Sequence, residues 1–193
     1  MIVIVLPDLP AEDRLLAHAR QGDQEAIMHI YDSYFSPIYN FIRLRVDDAQ
    51  AAEDLTSEVF LKLVSALRNH TAPRHSLRGW LFRVARNVLH DYYGRARQIT
   101  TEALEEWTPA APEDDLEIQF IRTLDVERTR HALRKLAPEQ QEVLILRFGQ
   151  TLSLQETADI MGKNVGAIKS LQFRAINALR QIFGELHRET ENG

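Results

Sequence analysis

The segment LRGWLFRVARNVLHDYYGRAR, residues 77–97, combines five arginines and a single acid with four aromatic residues. Its apolar residues recur at spacings of three and four, which gathers them into one stripe on a helical wheel. The stripe consists of Leu77, Trp80, Leu81, Val84, Ala85, Val88, Leu89 and Tyr92. The pattern predicts a helix that buries this face and presents hydrogen-bonding, largely cationic side chains on the other.

The side of this predicted helix opposite the stripe carries Arg83, Arg86, Asn87, His90 and Tyr93. Such a face suits a polyanion or the surface of an anionic membrane. A solvated face on an ordinary core helix would look the same, so both interpretations stay open on this segment alone. The remainder of the chain has to distinguish between them.

The aromatic residues of the segment divide between the two sides of the wheel. Trp80 falls within the stripe, and we expect it to lie in the core. Phe82 and Tyr93 fall outside the stripe. These two rings are therefore the better candidates for stacking on unpaired bases.

Helical periodicity also dominates the rest of the chain, and no strand alternation appears after residue 6. Residues 11–23, 24–46 and 47–70 each repeat apolar positions with the helical spacing. Together with residues 77–97 they predict four helices around one core. Pro37 is expected to bend or restart the second of these helices, because proline lacks the N–H that a helix interior requires.

The composition of the 193-residue chain allows one or two small domains. Cysteine is absent, which excludes disulfides and cysteine-ligated zinc and fits a cytoplasmic location. The opening residues MIVIVLP lack a basic flank and are too short for a signal peptide or a membrane span. We expect a loose tail or a partner-binding strand there. The seven histidines show no metal-ligand spacing, and we predict no metal and no cofactor.

The net charge of −5 hides a strong asymmetry along the chain. Residues 98–120 carry seven acids and no lysine or arginine, whereas residues 121–183 carry ten basic against six acidic residues. The acidic segment also lacks a clear period and contains two prolines, which predicts a flexible linker. We therefore expect domains over residues 11–97 and 121–183, each with local positive charge that suits a polyanion.

A helix-turn-helix is predicted in the second domain, where two short helices are joined by MGKN, residues 161–164. Ser153 and Glu156 have the spacing of a capping box, and Asn164 is a favourable helix cap. In such a unit the second helix enters the major groove and its N-terminal half reads the bases. The candidate contact residues are Lys163, Asn164, Gly166, Lys169, Ser170, Phe173 and Arg174.

Four segments occur in a familiar order: AEDLTSEVFLKL (52–63), LRGWLFRVARNVLHDYY (77–93), LAPEQQEVLILRF (136–148) and SLQETADIMGKNVGAIKSLQFRAINALR (153–180). They resemble bacterial sigma factors, and most closely the extracytoplasmic-function (ECF) group of the sigma-70 family. Their order, their spacing and the acidic linker agree with that group. The resemblance covers residues 11–183.

The resemblance implies an all-α protein with two small helical domains. Residues 11–97 would form sigma region 2, which binds core RNA polymerase and the −10 promoter element. Residues 98–120 would be an acidic flexible linker, and residues 121–183 would form the region 4 helix-turn-helix that binds the −35 element. The implied function is promoter-specific initiation of transcription, with help in promoter melting and no enzymatic activity. The implied partners are core RNA polymerase, duplex and single-stranded promoter DNA, and an anti-sigma factor of the kind that many ECF members bind, without insertion into a membrane.

Individual residues receive roles from the same resemblance. The candidates for contact with core polymerase are Asp54, Leu55, Glu58 and Val59. The candidates for contact with the −10 element are Arg78, Phe82, Arg83, Arg86, Asn87, His90 and Tyr93. The resemblance also accounts for the mixture of arginines and aromatic rings, because melted DNA offers unstacked bases and a charged backbone. Stacking of a base on an aromatic ring contributes about 1–3 kcal/mol.

The sequence departs from the family pattern at a few positions. Ser57 stands where many relatives carry Gln, which leaves the detail of the polymerase contact open. Leu171, Gln172 and Phe173 replace a more usual basic–Leu–basic order. Gln172 falls inside the apolar side of the predicted recognition helix, so the packing of that helix is also left open.

The alternative interpretation is a stand-alone helix-turn-helix regulator. Such a protein would use the same second domain but would not need an N-terminal four-helix domain with an arginine-rich face. An enzyme is not supported, because the sequence contains no glycine-rich phosphate loop, metal cluster or nucleophile motif. A membrane-surface protein could use the basic helix, but this interpretation leaves the second domain unexplained.

Overall fold

The computed structural model describes the backbone of residues 9–97 and 126–191 and the side chains of residues 11–94 and 129–184. Every regular element within these ranges is helical, which confirms the predicted all-α class. The described helices belong to two compact units, one on each side of the gap. The predicted linker, the predicted start of the second domain at residue 121 and the apolar residues 1–6 lie outside the described residues. None of the described helices is both long and apolar enough to cross a bilayer.

Within residues 9–97, the first unit contains four helices, and the starts of the second and third follow local capping rules. The four helices are α1 (Leu9–Arg20), α2 (Gln24–Arg43), α3 (Ala49–Arg68) and α4 (Leu77–Arg97). Asp23 and Asp48 cap α2 and α3 by accepting hydrogen bonds from backbone N–H groups of the first turn. Gly22 supplies the positive φ, 87°, between α1 and α2. Helix α2 continues through the buried Pro37, so the restart expected at this proline does not occur.

Helix α2 lies at the centre of the first unit and packs against the other three helices. Tyr34 and Phe41 on α2 and Phe82 on α4 are the largest fully buried side chains that the structure describes in this unit. The rings of Phe41 on α2 and Phe82 on α4 meet edge to face with centroids 5.3 Å apart. Burying a side chain of this size contributes about 1.5–3 kcal/mol relative to leaving it in water, so this contact is a main attachment of α4 to the core.

A buried polar cluster also attaches α4 to the rest of the unit. Glu12 on α1 is fully buried; its carboxylate accepts hydrogen bonds from the Tyr34 hydroxyl at 2.6 Å and the Arg78 backbone N–H at 3.0 Å. The Nε of Arg78 lies 3.8 Å from the same carboxylate. Burial and, after it, the hydrogen bond to Glu12 raise the pKa of Tyr34 above its ordinary value of 10.0. Tyr34 therefore stays protonated and donates to Glu12.

The described part of the second unit, residues 126–191, contains four helices and one π-helical turn. They are α5 (Val126–Arg134), α6 (Pro138–Leu144), the π turn (Ile145–Gly149), α7 (Leu154–Met161) and α8 (Val165–Glu191). Helix α8 packs against α5, α6 and α7, so it is the central helix of the unit.

The predicted helix-turn-helix caps are confirmed. Ser153 and Glu156 form a capping box at the start of α7, and the Asn164 side chain accepts a hydrogen bond from the Ala167 N–H at 2.7 Å at the start of α8. Gly162 ends α7 with a left-handed φ of 67°, which turns the chain sharply into α8.

Candidate nucleic-acid interface

The exposed face of α4 brings together most of the side chains predicted for it. Arg83, Asn87 and His90 are exposed, and Arg86 is half-buried. Tyr93 is 40% exposed, and its hydroxyl donates to the backbone carbonyl of Arg45 in the connection between α2 and α3. The Tyr93 hydroxyl is therefore occupied, while part of its ring remains accessible.

The two aromatic residues near the start of α4 exchange their predicted places. Phe82 is fully buried against Phe41, so the prediction that it lies outside the buried stripe, available for a base, is wrong. Trp80 is half-buried, so it lies at the margin of the core and not in the interior where it was predicted. The apolar stripe is wide, and periodicity alone does not show which edge meets the neighbouring helices. Because α4 packs against α2, the buried side of α4 includes Phe82, and Trp80 lies at the margin of the exposed face.

Arg78, which was predicted to contact the −10 element, is largely buried at the start of α4. Its side chain is 16% exposed and lies beside the Glu12 carboxylate, and its backbone N–H donates to the same group. These contacts give Arg78 a structural role at the start of α4 and leave little of its charge available to DNA. Among the side chains that the structure describes on this face, Arg83 is exposed and Arg86 is half-buried.

Helix α3 divides its four predicted polymerase contacts between surface and core. Asp54 is exposed and Glu58 is partly exposed. Leu55 and Val59 are buried in the helical core, so in this structure their side chains are not exposed to a partner. They lie on the same apolar stripe of α3 as Leu63. This stripe packs against the other helices of the unit and is therefore covered.

An apolar residue on the acidic side of α3 escaped the sequence prediction. Leu61 is 69% exposed and follows Glu58 by three positions, which places both on one side of the helix. Met28 and Tyr31 of α2 are also exposed apolar residues of this unit, and the Tyr31 ring lies 4.9 Å from that of Phe60 on α3. The signal was present in the sequence, because Leu61 falls outside the buried stripe of α3.

The seven residues predicted for the −35 contact lie in the N-terminal half of α8 and in the turn before it. Asn164, Gly166 and Lys169 are exposed. The half-buried members are Ser170, Phe173 and Arg174. Lys163 lies in the turn and forms an ion pair with Glu139 of α6 at 3.0 Å. This pair is partly exposed and adds little stability, but it engages the Lys163 charge within the unit.

Two family models match the chain in the order of its two units. The model for Sigma-70 region 2 matches residues 30–99, and the model for Sigma-70 region 4 matches residues 132–181. The chain is 36% identical over 173 residues to the ECF RNA polymerase sigma factor BldN of Streptomyces coelicolor, with 87% of this chain and 64% of that relative covered. It is 31% identical over 157 residues to the RNA polymerase sigma factor YlaC of Bacillus subtilis, with 79% of this chain and 88% of that relative covered.

The chain belongs to the ECF group of the sigma-70 family. This sigma factor directs promoter recognition by RNA polymerase and is not an enzyme, as the sequence predicts. Its fold is shared with the Bartonella quintana sigma factor RpoE, solved in complex with the anti-sigma factor NepR. The TM-score is 0.61 at 24% identity, with 81% of this chain and 96% of that chain covered.

The match to region 2 begins after α1, which nevertheless helps to position the candidate interface on α4. Glu12 of α1 holds the backbone at the start of α4. Helix α4 carries Arg83, Asn87 and the half-buried Trp80. A helix outside the matched residues thus fixes the end of α4 nearest to these side chains. Among the side chains that the structure describes, no group of histidines and carboxylates has the arrangement needed for a metal ion.

Proposed function

We propose that this sigma factor binds core RNA polymerase and uses its two units on different forms of promoter DNA. Helix α4 would hold the melted −10 element, and α8 would read the duplex −35 element. One observation carries the proposal: each unit presents its own polar, cation-bearing helix face. Among the described side chains, the face on α4 alone has large aromatic rings at both of its margins, Trp80 and Tyr93. The cytoplasm is the proposed site of action.

The proposed −10 surface has the chemistry that single-stranded DNA requires. Arg83 and Arg86 offer cations to the backbone, and Asn87 and His90 offer hydrogen-bonding groups. Trp80 replaces Phe82 as the ring for a displaced base, because Phe82 is buried. A stacked base returns about 1–3 kcal/mol, which is comparable with the few kcal/mol needed to flip it out of the duplex.

The proposed −35 surface uses the exposed front of α8. Lys169 and the start of the helix suit phosphate groups, while Ser170 and Arg174 suit base edges or phosphates. The Phe173 ring suits the methyl group of thymine. The Asn164 side chain is engaged in capping α8, so its proposed part is to fix the helix start beside the backbone of the DNA.

The proposed polymerase contact is the surface of α3 that carries Asp54, Glu58 and Leu61. Leu61 supplies exposed apolar area, and the two acids border it. A partner surface with apolar and basic side chains would complement this arrangement. Leu55 and Val59 contribute indirectly, because their burial holds α3 in place.

Charge reversal on this surface is expected to weaken assembly with core polymerase. The double variant Asp54→Lys/Glu58→Lys should weaken binding at least about tenfold, since like charges across an interface cost several kcal/mol. The matched control is Glu53→Lys, an exposed acid on the same helix about 100° around its axis from Asp54. Binding is measured by titrating labelled core polymerase with each full-length variant. Equal loss in the double variant and the control would exclude this surface.

An anti-sigma factor completes the proposed set of partners. The support is at the level of the fold, since RpoE of Bartonella quintana was solved with the anti-sigma factor NepR. The exposed Met28, Tyr31 and Leu61 are apolar side chains of the kind that a protein partner covers.

A further inference from the structure

Gln172 is a polar side chain on the buried side of the recognition helix α8. It is 4% exposed, and its neighbours on the same side, Ile168, Ala175 and Ile176, form part of the apolar core. A primary amide in such a place is costly unless it is hydrogen-bonded. The position is therefore informative, because an apolar side chain would fill it without this requirement.

Arg147 provides the hydrogen bond. Its Nε donates to Oε1 of Gln172 at 3.0 Å, and its Nη1 donates to the backbone carbonyl of Leu152. Arg147 itself lies in the π turn, and Leu152 immediately precedes the Ser153 cap of α7. One planar guanidinium thus connects the π turn, the start of α7 and the middle of α8. Its rigid fork fixes the direction of each donor.

The Arg147–Gln172 hydrogen bond lies behind the residues proposed to read DNA. Gln172 is two positions after Ser170 and directly before Phe173 on α8, and it points to the opposite, buried side. The N-terminal end of α8 is already held by the Asn164 cap. A second attachment at residue 172 restricts rotation and sliding of the helix segment between these two points. That segment carries Gly166, Lys169 and Ser170.

We propose that Arg147 and Gln172 are positioning residues. Their hydrogen bond fixes the position and rotation of α8 within the unit, and thereby determines which −35 sequences this sigma factor accepts. The inference rests on the proposed reading of the −35 element by α8. Contacts to base edges discriminate between base pairs and depend on the direction of each hydrogen bond. A small change in the position or rotation of α8 therefore alters the preference among −35 sequences. Phosphate contacts tolerate such a change and maintain general binding to DNA.

The test compares Gln172→Leu with the wild-type protein, each assembled with core polymerase, on promoters that share one −10 element and differ by single bases at −35. Leucine keeps the apolar volume and removes the acceptor of Arg147. The ratio of activity on the preferred −35 sequence to activity on a single-base variant is expected to fall about threefold to tenfold. Gln172→Glu, which keeps an oxygen acceptor, should retain the wild-type ratio. The control Gln181→Leu makes the same replacement at an exposed position of α8 and should also retain it.

The possible outcomes separate positioning from a merely structural role. An unchanged ratio in Gln172→Leu, or a uniform loss on every promoter, would overturn the inference. Hydrogen exchange of the α5–α8 amides reports whether the variant is folded; if it is not, Gln172→Met, unbranched and without the amide, decides in its place. A wild-type protein that ignores the −35 sequence would instead contradict the proposed function.

Discussion

Phe82→Ala is expected to destabilise the first unit by about 3–5 kcal/mol, the usual cost of removing a buried aromatic ring. The ring is fully buried and meets Phe41 edge to face, so its loss leaves a cavity between α2 and α4. Small domains have about 5–15 kcal/mol of stability in total. Urea unfolding of the full chain measures the loss, and hydrogen exchange of the α1–α4 amides assigns it to this unit. Phe82→Leu keeps most of the volume and should recover most of the stability.

Trp80→Ala is the matched comparison, two residues away on the same helix. Because Trp80 is half-buried, its removal should cost clearly less stability than removal of Phe82. The variant should instead fail in promoter opening, measured by the fluorescence of 2-aminopurine placed in the −10 element of a polymerase-bound promoter. Stability losses in the opposite order, or normal opening by Trp80→Ala, would contradict the exchanged roles of the two rings.

Glu12→Ala is expected to destabilise the same unit by about 3 kcal/mol or more. The substitution removes the acceptor of both the Tyr34 hydroxyl and the Arg78 N–H and leaves the mostly buried Arg78 cation without the carboxylate beside it. A buried polar group that loses its partner destabilises the fold by more than the net stabilisation that the original hydrogen bond provided. Urea unfolding with hydrogen exchange again provides the measurement, and the α4 amides nearest to Arg78 should lose protection first.

Tyr34→Phe provides the control for this cluster. It removes one donor and leaves Glu12 bonded to the Arg78 N–H, so a loss of about 0.5–1.5 kcal/mol is expected. If Glu12→Ala cost no more than Tyr34→Phe, the carboxylate would not be the group that holds α1, α2 and α4 together.

The elements built from local signals were predictable from the sequence. The spacing of apolar residues predicts the helices, and a four-residue motif predicts the Ser153–Glu156 capping box. The Asn164 cap is recognised because asparagine directly precedes the apolar pattern of α8. The polar front of α8 also appears as predicted, because the apolar stripe of that helix defines the opposite side clearly.

The errors arise where packing between distant segments determines the outcome. The stripe of α4 was wide enough to accommodate either Trp80 or Phe82, and Phe41 on α2 determines which of them is buried. Leu55 and Val59 of α3 belong to a stripe that serves the core, although the family motif includes them. Periodicity identifies an apolar side of a helix but does not identify what covers it.

The two polar clusters could not be predicted from the sequence because their members are far apart in it. Glu12 and Arg78 are 66 positions apart, and Arg147 and Gln172 are 25 positions apart. The sequence did identify Gln172 as an irregularity on an apolar face. Its partner became apparent only when the fold placed the π turn beside α8.

Run-off transcription with core polymerase, followed by sequencing of the transcript starts, tests whether the two units act together on one promoter. Core polymerase is compared with and without the full chain on a template whose −10 and −35 elements are altered separately. The chain is expected to create defined start sites that disappear when either element is changed. Start sites that are the same with and without the chain, or that ignore one of the two elements, would contradict the division of promoter recognition between α4 and α8.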